Sequence, residues 1–338
     1  MKKIIITGAG GYIGCELVKY LSKKKYSIIA IDRYFFGEEK ILKKKNIKLI
    51  REDIRNLKIK NFKKIYAVID LAALSNDITG EKYIRQTFDI NFKARYRVAQ
   101  LAKKAGVEKY ILPSSCSNYG RISRNQIADE KYKLNPLTNY SKANAMAEKK
   151  ILQLKSKNFC PVILRQGTVY GFSNRLRLDL VVNRMTYEAF KNNQIPILKD
   201  GSQRRPTLHI IDAARAMHMM IKTNKEKISG EIFNVGGDGN NLSINQLAKE
   251  IKSIFKKKIK IFYYGEKDLR SYFVSFKKIK SLGYKALYKP KDGAKQLVKM
   301  YKKKRIIMSD ENITLKWYDN LNYWNEKIRK AAINNKIL

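Results

Sequence analysis

The sequence is poor in the residues that build metal sites and covalent cross-links, since its 338 residues include three cysteines and two histidines. Cys15, Cys116 and Cys160 are odd in number and far apart along the chain. They fit neither a disulfide framework nor the paired ligand spacing of a zinc site. We therefore expect no metal ion, and a reducing compartment is the default.

Long apolar runs are also missing. A membrane-spanning helix needs about 20 consecutive apolar residues, and no segment of this sequence approaches that length. The start, MKKIIITGAGG, turns glycine-rich too early for a secretory signal peptide. We expect no membrane span and a cytoplasmic location.

Acidic residues are few, with 29 Asp and Glu against 72 Lys and Arg, which leaves a formal net charge of +43. Such a charge usually suggests a polyanion partner. Here, however, the basic residues are mostly lysines spread along the whole chain in short runs such as SKKKY and LKKKN, which are typical of solvated helix ends. A compositional bias of the source explains the charge at least as well, and we expect nucleic acid not to be a partner.

The first half of the chain alternates short apolar strands with helical segments. KIIIT, SIIAID, YAVIDLAA, KYILPSS and PVILRQ are rich in Ile, Val and Leu, and helical patterns separate most of them. This alternation predicts an α/β fold with a Rossmann-type, doubly wound parallel sheet. We expect a cofactor domain at 1–170, completed by about 206–236, and a smaller C-terminal substrate-binding lobe with C-terminal helices at 171–205 and 237–338.

A glycine-rich turn joins the first strand to the first helix. Gly8, Gly11 and Gly14 allow a sharp turn, a close approach to a pyrophosphate and tight packing of the helix on the sheet. Asp32 ends the second strand, where a carboxylate accepts hydrogen bonds from an adenosine ribose and repels a 2′-phosphate. The pattern predicts NAD rather than NADP, with Arg33 as a mild contrary sign.

Together these motifs resemble the extended short-chain dehydrogenase/reductase superfamily, and within it the NAD-dependent nucleotide-sugar epimerase/dehydratase family. The resemblance covers roughly residues 2 to 290 and includes TGAGGYIG, DLAA, SSCSNYG, NPLTNY, LRQGTVYG and DGSQRRPTLHIID. It implies a homodimer built on the helices near 90–104 and 140–155. Beyond the glycines and Asp32, it implies cofactor contacts at Tyr12, Ile13, Asp53, Ile54, Leu71, Ala72, Ala73, Asn91, Ser114, Tyr140 and Asn144. Asn91 would act by holding backbone near the cofactor.

The family's base is a tyrosine followed four residues later by a lysine, and this chain departs from that pattern. A phenol with a pKa of about 10 needs a nearby cation to ionise near neutrality. Tyr140 matches the base, but Asn144 occupies the position of the lysine. Lys142 could replace the missing cation only if the helix began after Tyr140. A less perturbed tyrosine, a site rewired through Lys142 and a nonreactive relative all stay open.

A second catalytic group is expected at the end of the predicted strand KYILPSS. Ser115 matches the family's hydrogen-bonding Ser or Thr, although a serine there also suits a helix cap. Dehydratases of the family carry Asp-Glu at the next two positions, whereas this chain has Cys116 and Ser117. The missing acid and base argue against dehydration. Cys116 is expected to face either the substrate or the core.

Arginines recur after Tyr170 in a chain that otherwise prefers lysine. Arginine binds phosphate oxygens in a planar, two-pronged geometry. By resemblance, Arg205 and Arg270 hold the diphosphate of a nucleotide sugar, and Arg175 is a further candidate. Near the C-terminus, Trp317, Leu321, Trp324 and Ile328 share one face of a predicted helix, which suggests core packing or a subunit contact.

These features predict NAD-dependent oxidation and reduction of a ring hydroxyl, at C4, of a nucleoside-diphosphate sugar. An epimerase for surface polysaccharide precursors is favoured, because no second nicotinamide site is evident. A nucleotide-sugar 4-dehydrogenase or ketoreductase is one alternative. The other is a noncatalytic NAD-binding relative with a polyanion-binding basic surface.

Overall fold

The computed structural model describes residues 1–123, 125–266, 268–303 and 308–331. Its strands are β1 (Lys2–Thr7), β2 (Tyr26–Asp32), β3 (Ile47–Arg51), β4 (Ala67–Asp70), β5 (Lys109–Ser115), β6 (Cys160–Gln166), β7 (Thr168–Tyr170), β8 (Gln194–Leu198), β9 (Arg204–His209), β10 (Ile232–Val235), β11 (Asn241–Ser243) and β12 (Lys260–Tyr264). Its α-helices are α1 (Tyr12–Leu21), α2 (Asp77–Lys82), α3 (Ile84–Phe88), α4 (Arg95–Lys104), α5 (Asn139–Leu152), α6 (Val181–Asn192), α7 (Ile210–Lys222), α8 (Ile244–Lys252), α9 (Lys277–Ser281), α10 (Pro290–Lys302) and α11 (Thr314–Ala331). A π-helical turn, Asp89–Ala94, joins α3 to α4.

The central sheet has seven strands in the order β10-β6-β5-β4-β1-β2-β3. Every neighbouring pair in it is parallel. The chain winds outward from β1 in both directions, which is the doubly wound arrangement that places a binding crevice at the carboxyl ends of the strands. The predicted Rossmann-type parallel sheet is confirmed.

Helices cover both faces of this sheet, and each face has its own apolar core. Along β1, Ile4 and Ile6 join the core that contains α1 and α7, whereas Ile5 joins the core that contains α4 and α5. Successive side chains of a strand point to opposite faces. Burial on both sides is therefore why these strands are continuously apolar rather than alternating.

A smaller lobe is built from residues that follow β6. It contains the parallel pair β8 and β12, the three-stranded sheet β11-β9-β7, and a separate apolar core that includes Val182, Ile195 and Leu247. The last strand of the large sheet, β10, comes from the segment 206–236. The exact domain boundaries stay a prediction.

The C-terminal helix α11 packs on the molecule through its first half. Trp317 donates a hydrogen bond from Nε1 to the Phe35 carbonyl at 2.7 Å. By contrast, Trp324 is 61% exposed and Ile328 is 45% exposed. The prediction that this helical face packs in the core is therefore wrong for the second half of α11, where Trp324 and Ile328 lie. Among the described residues, no helix is long and apolar enough to cross a membrane.

Candidate active site

A cavity of about 540 Å³ opens at the carboxyl ends of the central strands and extends to the smaller lobe. Of the predicted site residues, it is lined by Gly8, Gly11, Tyr12, Ile13, Gly14, Asp32, Asp53, Ile54, Leu71, Ala72, Ala73, Ser114, Ser115, Tyr140, Arg175, Arg205 and Arg270. Asn91, Cys116 and Asn144 are absent from its lining. The fold thus brings most of the predicted residues to one place, at the position where parallel α/β sheets bind ligands.

The glycine turn is shaped for close approach. Gly8 has φ +65°, and a Cβ there would lie 2.5 Å from the Leu71 carbonyl carbon. A Cβ at Gly14 would lie 2.2 Å from the Gly8 carbonyl oxygen. Gly11 caps the start of α1, whose first backbone N–H groups can receive an anion. Larger side chains would block both the turn and the approach of a pyrophosphate.

Asp32 lines the cavity beside the glycine turn and also holds that turn. Its carboxylate accepts hydrogen bonds from the backbone N–H of Gly10 at 3.0 Å and of Tyr34 at 2.7 Å. Burial raises the pKa of Asp32, and these N–H donors oppose the rise. Arg33, the residue that argues mildly for NADP, donates a hydrogen bond to Asp53 at 3.3 Å. Its charge is therefore already paired with a carboxylate of the chain.

Asn91 acts on the cavity through backbone. Its Oδ1 accepts from the Leu74 N–H at 2.9 Å and its Nδ2 donates to the Leu74 carbonyl at 3.0 Å. Leu74 follows the Leu71–Ala73 stretch and lines the cavity itself. The side chain is therefore placed to hold backbone near a cofactor, while its contact with the cofactor stays a prediction.

Tyr140 lies in the first turn of α5, because the helix begins at Asn139. Thr138 caps the helix by accepting from the Ser141 N–H at 3.2 Å, and Ser141 Oγ accepts from the Thr138 N–H at 3.1 Å. Tyr140 faces the cavity, whereas Lys142 is exposed. The alternative in which Lys142 serves the phenol is therefore wrong, since it requires a later helix start. Burial raises the pKa of Tyr140.

Asn144 lies one turn after Tyr140 but faces the protein interior. It is 1% exposed, and its Oδ1 accepts a hydrogen bond from Arg95 at 3.0 Å. This position does not support the predicted direct cofactor contact. The Asn144 oxygen is already bonded to Arg95, and Asn144 does not line the cavity. The Asn144 amide opposes the rise in the Tyr140 pKa, although Nδ2 makes no hydrogen bond of good geometry among the described residues.

Ser115 ends β5 and faces the cavity. Its Oγ accepts from the Ser117 N–H at 3.1 Å, so it caps a short helical turn and keeps its own O–H available as a donor. Cys116 is 1% exposed, and its thiol donates to the Arg165 carbonyl. The predicted substrate contact at Cys116 is not supported, because the side chain points into the core. Burial raises the pKa of this thiol and keeps it protonated.

Arg175 lies at the cofactor end of the cavity rather than among the other arginines. Its guanidinium stacks 3.7 Å from the centre of the Phe36 ring and donates to Thr314 Oγ1 at 3.0 Å. Burial lowers the Arg175 pKa to about 10. Burial raises the pKa of Asp32, and the charge of Arg175 is one of the smaller influences that oppose this rise. The predicted substrate contact of Arg175 stays a prediction. Its Nε and Nη1 are buried and have no partner in the described part of the chain.

Arg205 and Arg270 meet in the smaller lobe, as the diphosphate prediction requires. They share the carboxylate of Asp268, at 2.8 Å and 2.7 Å respectively. Arg270 also pairs with Asp77 of α2. The Asp268 pKa is lowered, since the hydrogen bond from Arg270 and the charge of Arg205 outweigh burial. This cluster holds two guanidinium groups at the cavity wall, where phosphate oxygens could bind.

Comparison with known proteins agrees with this geometry. The model of the NAD dependent epimerase/dehydratase family matches residues 4–236. The chain belongs to this family. Its cofactor is therefore NAD, and the glycine turn, Asp32 and the unpartnered nitrogens of Arg175 fit that cofactor. The predicted family is confirmed.

Relatives within the epimerase/dehydratase family span the chain. A putative UDP-glucose 4-epimerase of Methanocaldococcus jannaschii is 27% identical and aligns over 88% of this chain and 98% of its own length. A UDP-glucuronate 4-epimerase of Thermodesulfobacterium geofontis is 27% identical over 82% of this chain and 89% of its own. The crystal structure of the UDP-glucuronic acid 4-epimerase of Bacillus cereus, in complex with UDP-glucuronic acid and NAD, superposes with a TM-score of 0.80 at 25% identity, covering 89% and 99% of the two chains.

Several cavity residues escaped the reading of the sequence. Asp77 and Asp268 pair with the arginines, and Tyr318 of α11 lines the cofactor end. Arg95 lies behind Asn144. Asp268 lies two residues before Arg270 and binds its guanidinium, so this pair could have been expected from local spacing. Asp77, Tyr318 and Arg95 reach the site through tertiary contacts that no spacing along the chain indicates.

Proposed function

We propose that the protein is a 4-epimerase of a nucleoside-diphosphate sugar, with Tyr140 as the base and Ser115 as its hydrogen-bonding partner. The observation that carries this proposal is one cavity whose wall contains Tyr140 and Ser115 together with the glycine turn and the Arg205–Arg270 cluster. A dinucleotide at the glycine turn and a sugar diphosphate at the arginine cluster would place the sugar ring between them.

NAD would be held by the glycine turn, by Asp32 at the adenosine ribose and by Arg175 at the diphosphate. When bound, it supplies a hydride acceptor that can return the hydride to either face of a ketone. The substrate diphosphate would be held by Arg205 and Arg270, which would exchange part of their contact with Asp268 for phosphate oxygens.

The chain's own chemistry is proton transfer and orientation. The phenolate of Tyr140 accepts the proton of the sugar hydroxyl during oxidation and returns it during reduction. The Ser115 O–H, which does not serve the helical turn, donates to the reacting oxygen. Because burial raises the Tyr140 pKa, activity should rise with pH through the neutral range until the phenol ionises.

The relatives support position C4, since the two described above and the solved Bacillus cereus enzyme are all named as 4-epimerases. Dehydration is disfavoured by Cys116 and Ser117, which offer no acid and base pair. A dehydrogenase or ketoreductase uses the same site, and the noncatalytic relative with a basic surface is the alternative from another class. A homodimer and a cytoplasmic location stay predictions.

Incubation with UDP-sugars and other nucleotide sugars tests the proposal. An epimer formed without net accumulation of reduced nicotinamide supports an epimerase, whereas stoichiometric reduced nicotinamide indicates a dehydrogenase. Tyr140→Phe should lower kcat by about 10²-fold or more, the scale of general acid–base catalysis, and keep NAD binding. Tyr264→Phe, at another tyrosine of the cavity wall, is the control. Tight NAD binding with no turnover on any sugar would favour the noncatalytic alternative.

A further inference from the structure

Arg95 is a buried cation without an acidic partner. It is 3% exposed, its Nε donates to the Ala72 carbonyl at 2.8 Å and its Nη1 donates to Asn144 Oδ1 at 3.0 Å. Its Nη2 also donates to the Asp70 carbonyl at 3.5 Å. All three acceptors are neutral, and in the described part of the chain no carboxylate forms an ion pair with Arg95, since the buried Asp70 carboxylate accepts from Thr7 and Tyr110 instead. By comparison, the buried Arg165 pairs with Glu148 at 2.7 Å. An uncompensated buried charge is costly, so its position requires a reason.

The surroundings of Arg95 connect it to the proposed site. It follows the π-helical turn Asp89–Ala94, which also contains Asn91 and its bonds to Leu74. Such turns are frequent at functional sites. Its first acceptor, Ala72, lies in the cavity wall, and its second, Asn144, lies one helical turn from Tyr140. The guanidinium thus bridges the predicted cofactor channel and the base helix.

The contact with Arg95 also fixes the direction of the Asn144 amide. A guanidinium can donate hydrogen bonds but cannot accept them, so the Asn144 oxygen must face Arg95. The Nδ2 group then points the other way, and it is buried without a partner among the described residues. An N–H donor near a phenol stabilises the phenolate over the phenol.

We propose that Arg95 replaces the cation that α5 lacks and acts on Tyr140 through Asn144, as a positioning residue for the phenolate. This inference rests on the proposed role of Tyr140. Tyr140 loses its proton to solvent before turnover and later takes the proton of the substrate hydroxyl. The charge of Arg95 and the amide dipole of Asn144 stabilise the phenolate between these two events.

The other charges around Tyr140 are compensated. Asp77 of α2 raises the Tyr140 pKa and Arg177 lowers it. Asp77 is paired with Arg270, and Arg177 is paired with Asp179 at 2.9 Å. After burial itself, the Arg95 charge is the largest influence on the phenol, and it lowers the pKa. In the part of the chain that the structure describes, Arg95 is therefore the cation of this group that forms no ion pair with a carboxylate.

The test measures the Tyr140 pKa directly, independently of turnover. Tyrosinate absorbance of the NAD-loaded protein is titrated with and without Tyr140→Phe, and the difference isolates this phenol. Arg95→Met should raise the Tyr140 pKa by about one to two pH units, which is the scale of shift that one nearby opposite charge produces. An unchanged Tyr140 pKa in folded Arg95→Met overturns the proposal.

Relocating the charge gives a second, independent measurement. Asn144→Lys alone would place a second positive charge beside the buried guanidinium of Arg95. It should therefore destabilise the fold. Arg95→Met combined with Asn144→Lys should return the Tyr140 pKa to within about half a unit of the parent. If Arg95→Met alone fails to fold, the test rests on the double variant and on Asn144→Leu. Asn144→Leu should raise the Tyr140 pKa while Arg95 is kept.

Controls separate this inference from the proposed function. Arg215→Met, which removes a half-buried cation of α7 paired with Asp212, should leave the Tyr140 pKa unchanged. In an active protein, Arg95→Met should lower kcat at neutral pH about 10- to 100-fold, with recovery at high pH. If no sugar is turned over, the titration still reports on Arg95. If Arg95→Met raises the Tyr140 pKa as expected but the parent protein turns over no sugar, the epimerase proposal is rejected and the role of Arg95 stands.

Discussion

Glu148→Gln is expected to destabilise the protein strongly, because it leaves the buried guanidinium of Arg165 without a counter-charge. The two side chains are each 3% exposed, and Glu148 Oε2 accepts from Arg165 Nη2 at 2.7 Å and Nε at 3.0 Å. The other carboxylate oxygen accepts from Ser114 and from Asn118. Glutamine has nearly the same shape, so the change removes charge rather than volume.

Breaking one side of a buried ion pair costs about 3–5 kcal/mol. Unfolding entropy is about 2.1 cal/mol/K per residue, which for 338 residues gives roughly 0.7 kcal/mol/K and a fall in Tm of about 4–7 °C. Urea unfolding followed by circular dichroism measures the loss of free energy. Because Ser114 lines the cavity, kcat should fall as well, through displacement of the end of β5.

Glu231→Gln is the matched control, since its pair with Lys278 has side chains 44% and 35% exposed. An exposed pair contributes about 0–1 kcal/mol. The reasoning fails if Glu148→Gln costs no more than Glu231→Gln. Adding Arg165→Met to Glu148→Gln should recover part of the loss, since the unpaired charge is then gone, and an additive result would show that the pair is not coupled.

Two further predictions concern the cofactor and acid stability. Asp32→Ala should weaken NAD binding about tenfold or more and reduce the preference for NAD over NADP. The reason is that it removes a carboxylate that also holds the N–H groups of Gly10 and Tyr34. Calorimetric titration with both dinucleotides measures the two affinities, and an unchanged ratio between them contradicts the prediction. Burial lowers the pKa of His209 and His218, the chain's two histidines. The unfolded chain then binds more protons just below pH 6.5, so stability should fall as pH drops through that value and down to the lower folded pKa values. Replacing both with glutamine should flatten this slope in urea unfolding between about pH 5 and 7, and an unchanged slope would assign it to carboxyl groups.

Much of the fold and of the cofactor site follows from local sequence. The continuously apolar strands predict burial on both faces of the sheet, and the structure confirms it. Along β1, Ile5 packs in one core while Ile4 and Ile6 pack in the other. The glycine turn and Asp32 are set by backbone conformation and by the ends of two adjacent strands. The interior position of Cys116 is not readable in this way, since both faces of the strand end are polar in sequence and only packing against Arg165 decides between them.

By itself, the sequence determined the alternation of buried strands with helices and the NAD-binding turn, because each depends on residues within a few positions of one another. It left the start of the base helix open, and the capping pair of Thr138 and Ser141 places Tyr140 within α5 in the structure. The tertiary structure decided which charges surround that phenol. Arg95 and Asn144 are 49 residues apart and meet only when α4 and α5 pack side by side. No spacing along the chain encodes that contact, on which we propose that the ionisation of Tyr140 depends.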